Sequence, residues 1–456
     1  MAGLLVSFFC LSPQAIAQTR DASLSYSLPF PGMNPESKLN FAIGQSLFEK
    51  FWVPSPSSTT ASDGLGPLFN ARSCHSCHLK NGRGHLPKVG ALGSSTPSFF
   101  IRLGLKNVTQ PAHGEYTTAT QPDPLYGHQL QTFSLAGLSP EGDYRIGRQS
   151  KSVTFSDGSQ VVLSKPSYTW QNFSAGPLST NTGISARVSP PLVGMGLLDA
   201  VPAQQLIALA DPDDNNQDGI SGKVNRVWDA QNQRWSIGKF GYKATQPTLN
   251  QQNQGAFNGD LGLSTPLFPN ASGDCTARQI DCLNAPNGNS AHLSNLEIDA
   301  QQINLVNHYL ATSMPPVMRN IHDERFEQGK ATFLTLGCQS CHTPKLTTGQ
   351  SNFSPLLSQR DFYPFTDLLL HDMGEGLASG MAEFDAQPRE WRTAPLWGIG
   401  LSEQVSKRKG FLHDGRANTL EEAILWHGGE AENIIADYLT LSKHQRNTLI
   451  YFLESL

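Results

Sequence analysis

The chain has 456 residues, a formal net charge of −5, 38% hydrophobic and 16% charged residues, and 41 Gly beside 30 Pro. That length allows two or three domains with cores of their own, and the balance is that of a globular, loop-rich protein rather than a disordered one. With a mildly acidic total and no basic block, nucleic acid is excluded as the expected partner, whereas a small basic electron carrier would suit the surface.

Residues 1–17 hold one apolar run, Ala2 to Leu11, followed by Ala15-Ile16-Ala17. This is the apolar region and small-residue cleavage site of a secretory signal peptide, without the usual positive start. No other run approaches the roughly 18 apolar residues of a membrane span. Residues 18–40 are polar with several Pro and Gly and read as an N-terminal arm.

From Leu39 to Phe51 apolar residues recur at helical spacing, and the chain then reaches Cys74-His75-Ser76-Cys77-His78 in a Gly-rich loop. The same C-x-x-C-H pattern returns at Cys338–His342. Two cysteines three apart on a helical turn can each add a thioether to a haem vinyl group. The adjoining histidine then falls under the iron as its proximal ligand. One four-cysteine zinc site is the alternative. A following His in both copies, and the export signal, favour two covalent haems. Covalent haem c is assembled outside the cytoplasm, so the expected location is the periplasm.

Between about 95 and 185 lie short alternating runs, Ser152 to Phe155 and Gln160 to Leu163, joined by Ser156-Asp157-Gly158-Ser159. A β-hairpin is the simplest reading. Then Arg187 precedes Pro191-Leu192-Val193-Gly194-Met195-Gly196-Leu197, and Arg392 precedes Pro395-Leu396-Trp397-Gly398-Ile399-Gly400-Leu401. Each haem motif is thus followed by one P-L-x-G-x-G-L element, an internal repeat. The expected fold is mainly α. A first cytochrome c-like domain over 41–310 is enlarged by loop and hairpin insertions, a compact second one covers 320–456, and Met314 to Met318 link them.

Asp214, Asn216, Asp218 and Gly219 match the first half of a calcium loop, but Asn225 stands where the bidentate Glu belongs. Calcium and a plain Asx-rich turn are the two readings. Cys275 and Cys282, close together in a polar loop, form a disulfide in an oxidising compartment or remain free thiols. Thr419 and Glu422 form a capping box, after which Leu420, Ala423, Ile424 and His427 share a helix face that ends at Gly428-Gly429. A histidine on such a face is ordinarily a core residue. Behind a haem motif, His427 is the expected sixth ligand of the second iron, ahead of Met373 and Met314. Of the remaining histidines, His85, His113 and His128 carry no such context, and His371 and His413 are expected to bond haem propionates or backbone rather than iron.

The run FLHDGRANTLEEAILWHGG and the strings GLGPLFNARSCHSCH, PPLVGMGLLDAVP, LADPDDNNQDGISG, QPTLNQQNQGAFNGDLG, FTDLLLHDMGEGLA and EWRTAPLWGIGL complete the picture. Together with both C-x-x-C-H motifs, they resemble the bacterial di-haem cytochrome c peroxidase superfamily. The nearest branch is its di-haem oxidoreductases, often labelled thiol oxidoreductases, and the likeness spans about 40–456. In the peroxidases the position matching His427 is commonly Met, and in the enzyme that matures methylamine dehydrogenase it is Tyr. A His/His iron sits at lower potential than a His/Met iron, so this chain departs from an ordinary acceptor of electrons from cytochrome c.

The resemblance implies a peroxidase-like oxidoreductase that reduces hydrogen peroxide or a related small oxidant. The haem on Cys74, Cys77 and His78 keeps an open distal position, and the haem on Cys338, Cys341, His342 and His427 relays electrons from a small c-type cytochrome or other periplasmic carrier. Asp199, just past the first repeat element, is the candidate acid/base residue, with Gln204 and Gln205 behind it, although Asp199 also suits a helix cap. The rivals are an electron-transfer cytochrome without a substrate and an oxidase of a metal ion, thiol or protein side chain.

Overall fold

A computed structural model describes residues 21–59, 61–106 and 118–456 of the chain, so the expected signal segment and His113 lie outside the described residues. The elements that build the site are, in chain order, α1 (Pro35–Glu49), β1 (Phe99–Leu105), β2 (Asp143–Thr154), β3 (Gln160–Gln171), β4 (Thr182–Val188), α2 (Met195–Asp199), α3 (Leu249–Leu261), α4 (Ala300–Ala311), α5 (Glu324–Thr335), β5 (Leu370–Asp372), β6 (Glu390–Arg392), α6 (Leu420–Leu425) and α7 (Lys443–Ser455).

The expectation of a mainly α protein is corrected: the fold is 30% helix and 18% strand. Among the described residues every sheet is a two-stranded antiparallel ribbon. β1 pairs with β4 from Phe99↔Val188 to Leu105↔Thr182, a contact between distant stretches that no local periodicity announces. β2 and β3 form the expected hairpin, extended to twelve pairs from Asp143↔Gln171 to Thr154↔Gln160. Its turn closes with Gly158 at φ 81° and Asp157 Oδ1 accepting from Ser159 N–H at 2.9 Å.

Two helix crossings repeat one device. α1 starts at Pro35 behind Asn34, whose side chain accepts from Ser37 N–H at 2.7 Å. It buries Phe41, Gly44 and Phe48 against α4. A Cβ on Gly44 would stand 2.0 Å from Leu305 O, and one on Gly329 of α5 would stand 2.0 Å from Thr448 O of α7. Only glycine lets either pair of helices approach so closely. Each crossing receives one P-L-x-G-x-G-L element: a Cβ on Gly196 would lie 2.4 Å from Ala311 O, and one on Gly400 2.0 Å from Glu454 O. Leu197 and Leu401 are buried beside them.

The first crossing belongs to a core that holds Phe41, Phe48, Phe257 and Tyr309 and also Trp397 and Leu401 from the later sequence. The second core holds Phe326, Phe333, Trp426 and Phe452, together with Phe155 and Leu163 from the far end of the hairpin. Residues read as an arm also pack inward, for Tyr26 is buried and its hydroxyl donates to Gly398 O at 2.5 Å.

Candidate functional site

Both C-x-x-C-H motifs open into one cavity of about 920 Å³, at the upper end of the usual range for small-molecule sites. Cys74–Cys77 is a single helical turn, capped by Ser73, whose Oγ accepts from Ser76 N–H at 3.1 Å. Cys338–Ser340 is a 3₁₀ turn behind Gly337, which takes φ 87°. Cys74, Cys77, Cys338 and Cys341 are unpaired and all line the cavity.

His78 Nδ1–H donates to Pro190 O at 2.8 Å, and His342 Nδ1–H donates to Phe365 O at 3.1 Å. His427 Nδ1–H donates to Ala423 O at 2.7 Å. Since a carbonyl only accepts, all three rings keep Nε2 as the free lone pair, and all three line the cavity. Burial pulls His78 down to about 4 and, helped by the nearby His427, pulls His342 down to about 4. Burial lowers His427 as well. The imidazoles are therefore neutral, the form that binds a metal.

Burial pushes the Cys74 and Cys338 thiols up to about 12 and raises Cys77 and Cys341, so the sulfurs are neutral rather than thiolates. No group of three or more His, Cys, Asp or Glu among the described residues is placed to hold a bare metal ion. Thiols in two separate pairs, each with a pre-oriented histidine facing an enclosed apolar space, fit one haem per motif, and the four sulfurs are not gathered as a zinc site needs.

The two motifs face a repeated loop and helix. In the first copy Phe240 pairs with Gln246 and in the second Phe411 pairs with Ala417. Gly241 and Ala244 have φ 81° and 50°, and their counterparts Leu412 and Gly415 have 66° and 73°. Thr248 then caps α3, accepting from Gln251 N–H at 3.1 Å, as Thr419 caps α6, accepting from Glu422 N–H at 3.0 Å. The Glu422 carboxylate reaches Asn418 N–H at 2.9 Å, one residue before the expected partner of a capping box. α6 ends at Leu425, and His427 follows on a final turn, its N–H donating to Ile424 O at 3.0 Å. Counting equally from each cap, the place of His427 is taken on α3 by Ala256. Both residues line the cavity.

Asp199 lies elsewhere. Its Oδ1 accepts from Leu249 N–H, in the first turn of α3, at 2.7 Å, and it is not among the cavity-lining residues. Burial raises its carboxyl despite the nearby Lys239. Gln204 and Gln205 are likewise off the cavity, and Met373 lines it while Met314 does not. In the Asx-rich loop the carboxylates turn to the loop's own donors: both oxygens of Asp214 accept from Gly219 N–H at 3.2 Å, and Asp218 Oδ2 accepts from Asn216 Nδ2 at 3.1 Å. Cys275 and Cys282 form a disulfide with Cα atoms 6.0 Å apart.

The sequence suggests Trp391 as a packing residue or a bridge between haems and does not reveal the polar cluster it joins in the cavity wall. Trp391 of β6 stacks on His413 with ring centroids 3.7 Å apart and planes at 10°. Lys243 Nζ sits 4.3 Å from the Trp391 ring and donates to Gln387 O, Pro388 O and Glu390 O at 2.7, 3.2 and 2.7 Å. Arg187 pairs with Glu383 in the same buried patch. Next to the second motif, His371 Nδ1 and Nε2 reach Glu430 and Asp367 at 2.6 and 2.9 Å. Burial opposes charge on His371, but its hydrogen bonds to Asp367, Cys341 and Glu430 outweigh it and hold the ring well above its ordinary value. Tyr242 and Lys243 hold the same loop positions as His413 and Asp414, so the loop repeat was the available signal.

Comparison with curated proteins finds no match. Among solved structures, a hydrazine synthase from Kuenenia stuttgartiensis pressurised with xenon aligns with 62% of this chain and 89% of its own at 15% identity, with a TM-score of 0.23. A family model described as "Di-haem oxidoreductase, putative peroxidase" matches residues 15–456. With two C-x-x-C-H motifs on one cavity and three histidines oriented toward it, this chain belongs to the di-haem oxidoreductase family.

Proposed function

We propose that this oxidoreductase works in the periplasm and reduces hydrogen peroxide, or a related small oxidant, at a first haem held covalently by Cys74 and Cys77 over His78. Cys338, Cys341, His342 and His427 would hold a second haem, which would supply electrons taken from a small c-type cytochrome or comparable carrier. When bound, the first haem supplies the iron at which the O–O bond is reduced, and the pair holds the two electrons that peroxide requires. The chain supplies the rest. Pro190 and Phe365 carbonyls orient His78 and His342, and the Ala423 carbonyl aims His427 into the cavity.

One observation carries the reading: α3 and α6 have the same cap and approach, yet the residue at the His427 place on α3 is Ala256. A methyl group cannot ligate iron, so Ala256 would leave the first haem open to a small molecule where His427 would close the second. Electron paramagnetic resonance of the oxidised holoprotein tests this. The expected spectrum has one high-spin and one low-spin haem. Ala256→His is expected to turn the first haem low-spin and to lower peroxide turnover at least tenfold. Two low-spin haems in the parent that stay so after one-electron reduction would indicate an electron carrier without a substrate.

A further inference from the structure

We propose that His128, held by Asp274, is the acid/base catalytic residue above the first haem. The proposal rests on the open-site reading just given and adds to it the group that moves the proton. His128 Nδ1–H donates to Asp274 Oδ1 at 3.0 Å, while Asp274 Oδ2 accepts from the backbone N–H of His128 and of Gln129 at 2.6 and 3.0 Å. One carboxylate thus fixes the ring, its tautomer and its backbone. The ring lines the cavity, and His128 Nε2 is buried with no hydrogen-bond partner among the described residues. A buried lone pair without a donor is costly unless it serves a bound molecule.

The location follows from α3. That helix is the repeat counterpart of α6, which leads into His427, and both helices line the cavity. Its last turn is stitched to the His128 segment: Gln131 Nε2 donates to Gly259 O at 2.9 Å, and Gln129 Nε2 to Asp260 Oδ1 at 2.8 Å. The cavity face of α3 near that turn is nearly bare, since a Cβ on Gly259 would meet nothing within 4 Å. The charged groups that share this region with His128 are Asp274, Asp260 and Arg102, and the last pairs backbone with Gln129.

In the proposed step Nε2 takes the proton from one oxygen of hydrogen peroxide and returns it to the other as the O–O bond breaks. Two electrons, one from each of two reduced one-electron carriers, and two protons from solvent complete the balance, and two water molecules leave. Asp274 is a positioning residue, because it keeps the proton on Nδ1 and the lone pair on Nε2.

The test compares the parent holoprotein with His128→Gln and Asp274→Asn, using peroxide turnover and, separately, the rate at which cyanide binds the oxidised protein, since hydrogen cyanide must also lose a proton on binding. For His128→Gln a loss of about 10²–10⁴ in turnover and at least tenfold in cyanide association is expected, with an unchanged high-spin signal. Asp274→Asn should displace the pH profile of cyanide association, and Asp274→Glu should restore it. Turnover and cyanide rates within twofold of the parent in His128→Gln would overturn the assignment while leaving the open site intact. A low-spin first haem that becomes high-spin in His128→Gln would make His128 an iron ligand and overturn it too. A parent that neither binds cyanide nor turns over peroxide would instead remove the open-site reading itself.

Discussion

Glu383→Gln isolates the electrostatics of the cavity wall. Arg187 and Glu383 are 7% and 6% exposed, and Glu383 is also the leading favourable charge for buried Lys243. The amide keeps the shape but leaves two buried cations without that counter-charge. Breaking a buried pair by removing one partner costs about 3–5 kcal/mol, because the remaining charge stays desolvated. The two cations differ in how they respond. Arg187 cannot shed its proton, whereas burial pulls Lys243 from 10.5 to about 7. A depressed lysine releases its proton in the folded state first, so its share of stability is lowest below pH 7 and recovers as pH rises toward 10.5. Removing Glu383 moves Lys243 lower still. The variant should therefore lose most at about pH 6, where the parent lysine is charged, and only the Arg187 share at about pH 9. Equilibrium urea unfolding of the holoprotein at both values, with the slope unchanged, reads the difference. A variant within about 1 kcal/mol of the parent at both pH values would refute the reasoning.

His427→Ala should convert the second haem from low-spin to high-spin, seen by electron paramagnetic resonance, and slow electron uptake from a reduced cytochrome. Gly329→Ala gains about 1 kcal/mol of helix propensity but drives a methyl to 2.0 Å from Thr448 O, so denaturant unfolding should show a net loss of about 1–2 kcal/mol. Replacing Cys275 and Cys282 by Ser opens a cross-link between residues seven apart, for an expected loss of about 2.5 kcal/mol in unfolding.

What the sequence made legible was short-range. The C-x-x-C-H turns, the hairpin turn at Asp157-Gly158, the Thr419 cap and the nearby cysteines each depend on residues a few places apart. The P-L-x-G-x-G-L repeat was also visible, and the structure gives its glycines a use against Ala311 O and Glu454 O. A second repeat was legible but missed: Phe240, Thr248 and Leu249 recur as Phe411, Thr419 and Leu420 at one offset of 171 (411 − 240, 419 − 248). It would have singled out Ala256 as the counterpart of His427. The pairing of Phe99 with Val188 and the bond between His128 and Asp274, 146 positions apart, have no local signature. Asp199 was chosen for its nearness in the chain to the first repeat element, and the fold uses it at the start of α3.

The hairpin sets the order in which the molecule can be completed. Its base shares a core with β1 and β4, while at its far end Asp157 accepts from Arg446 Nη2 at 3.0 Å, across 289 positions of chain, and Phe155 packs on Tyr438 at 5.8 Å. A chain made from its N-terminus carries that ribbon long before its seat exists. The clasp can therefore shut only once Tyr438 and Arg446 have been made. The ribbon thus joins an early stretch of the chain to its last two helices.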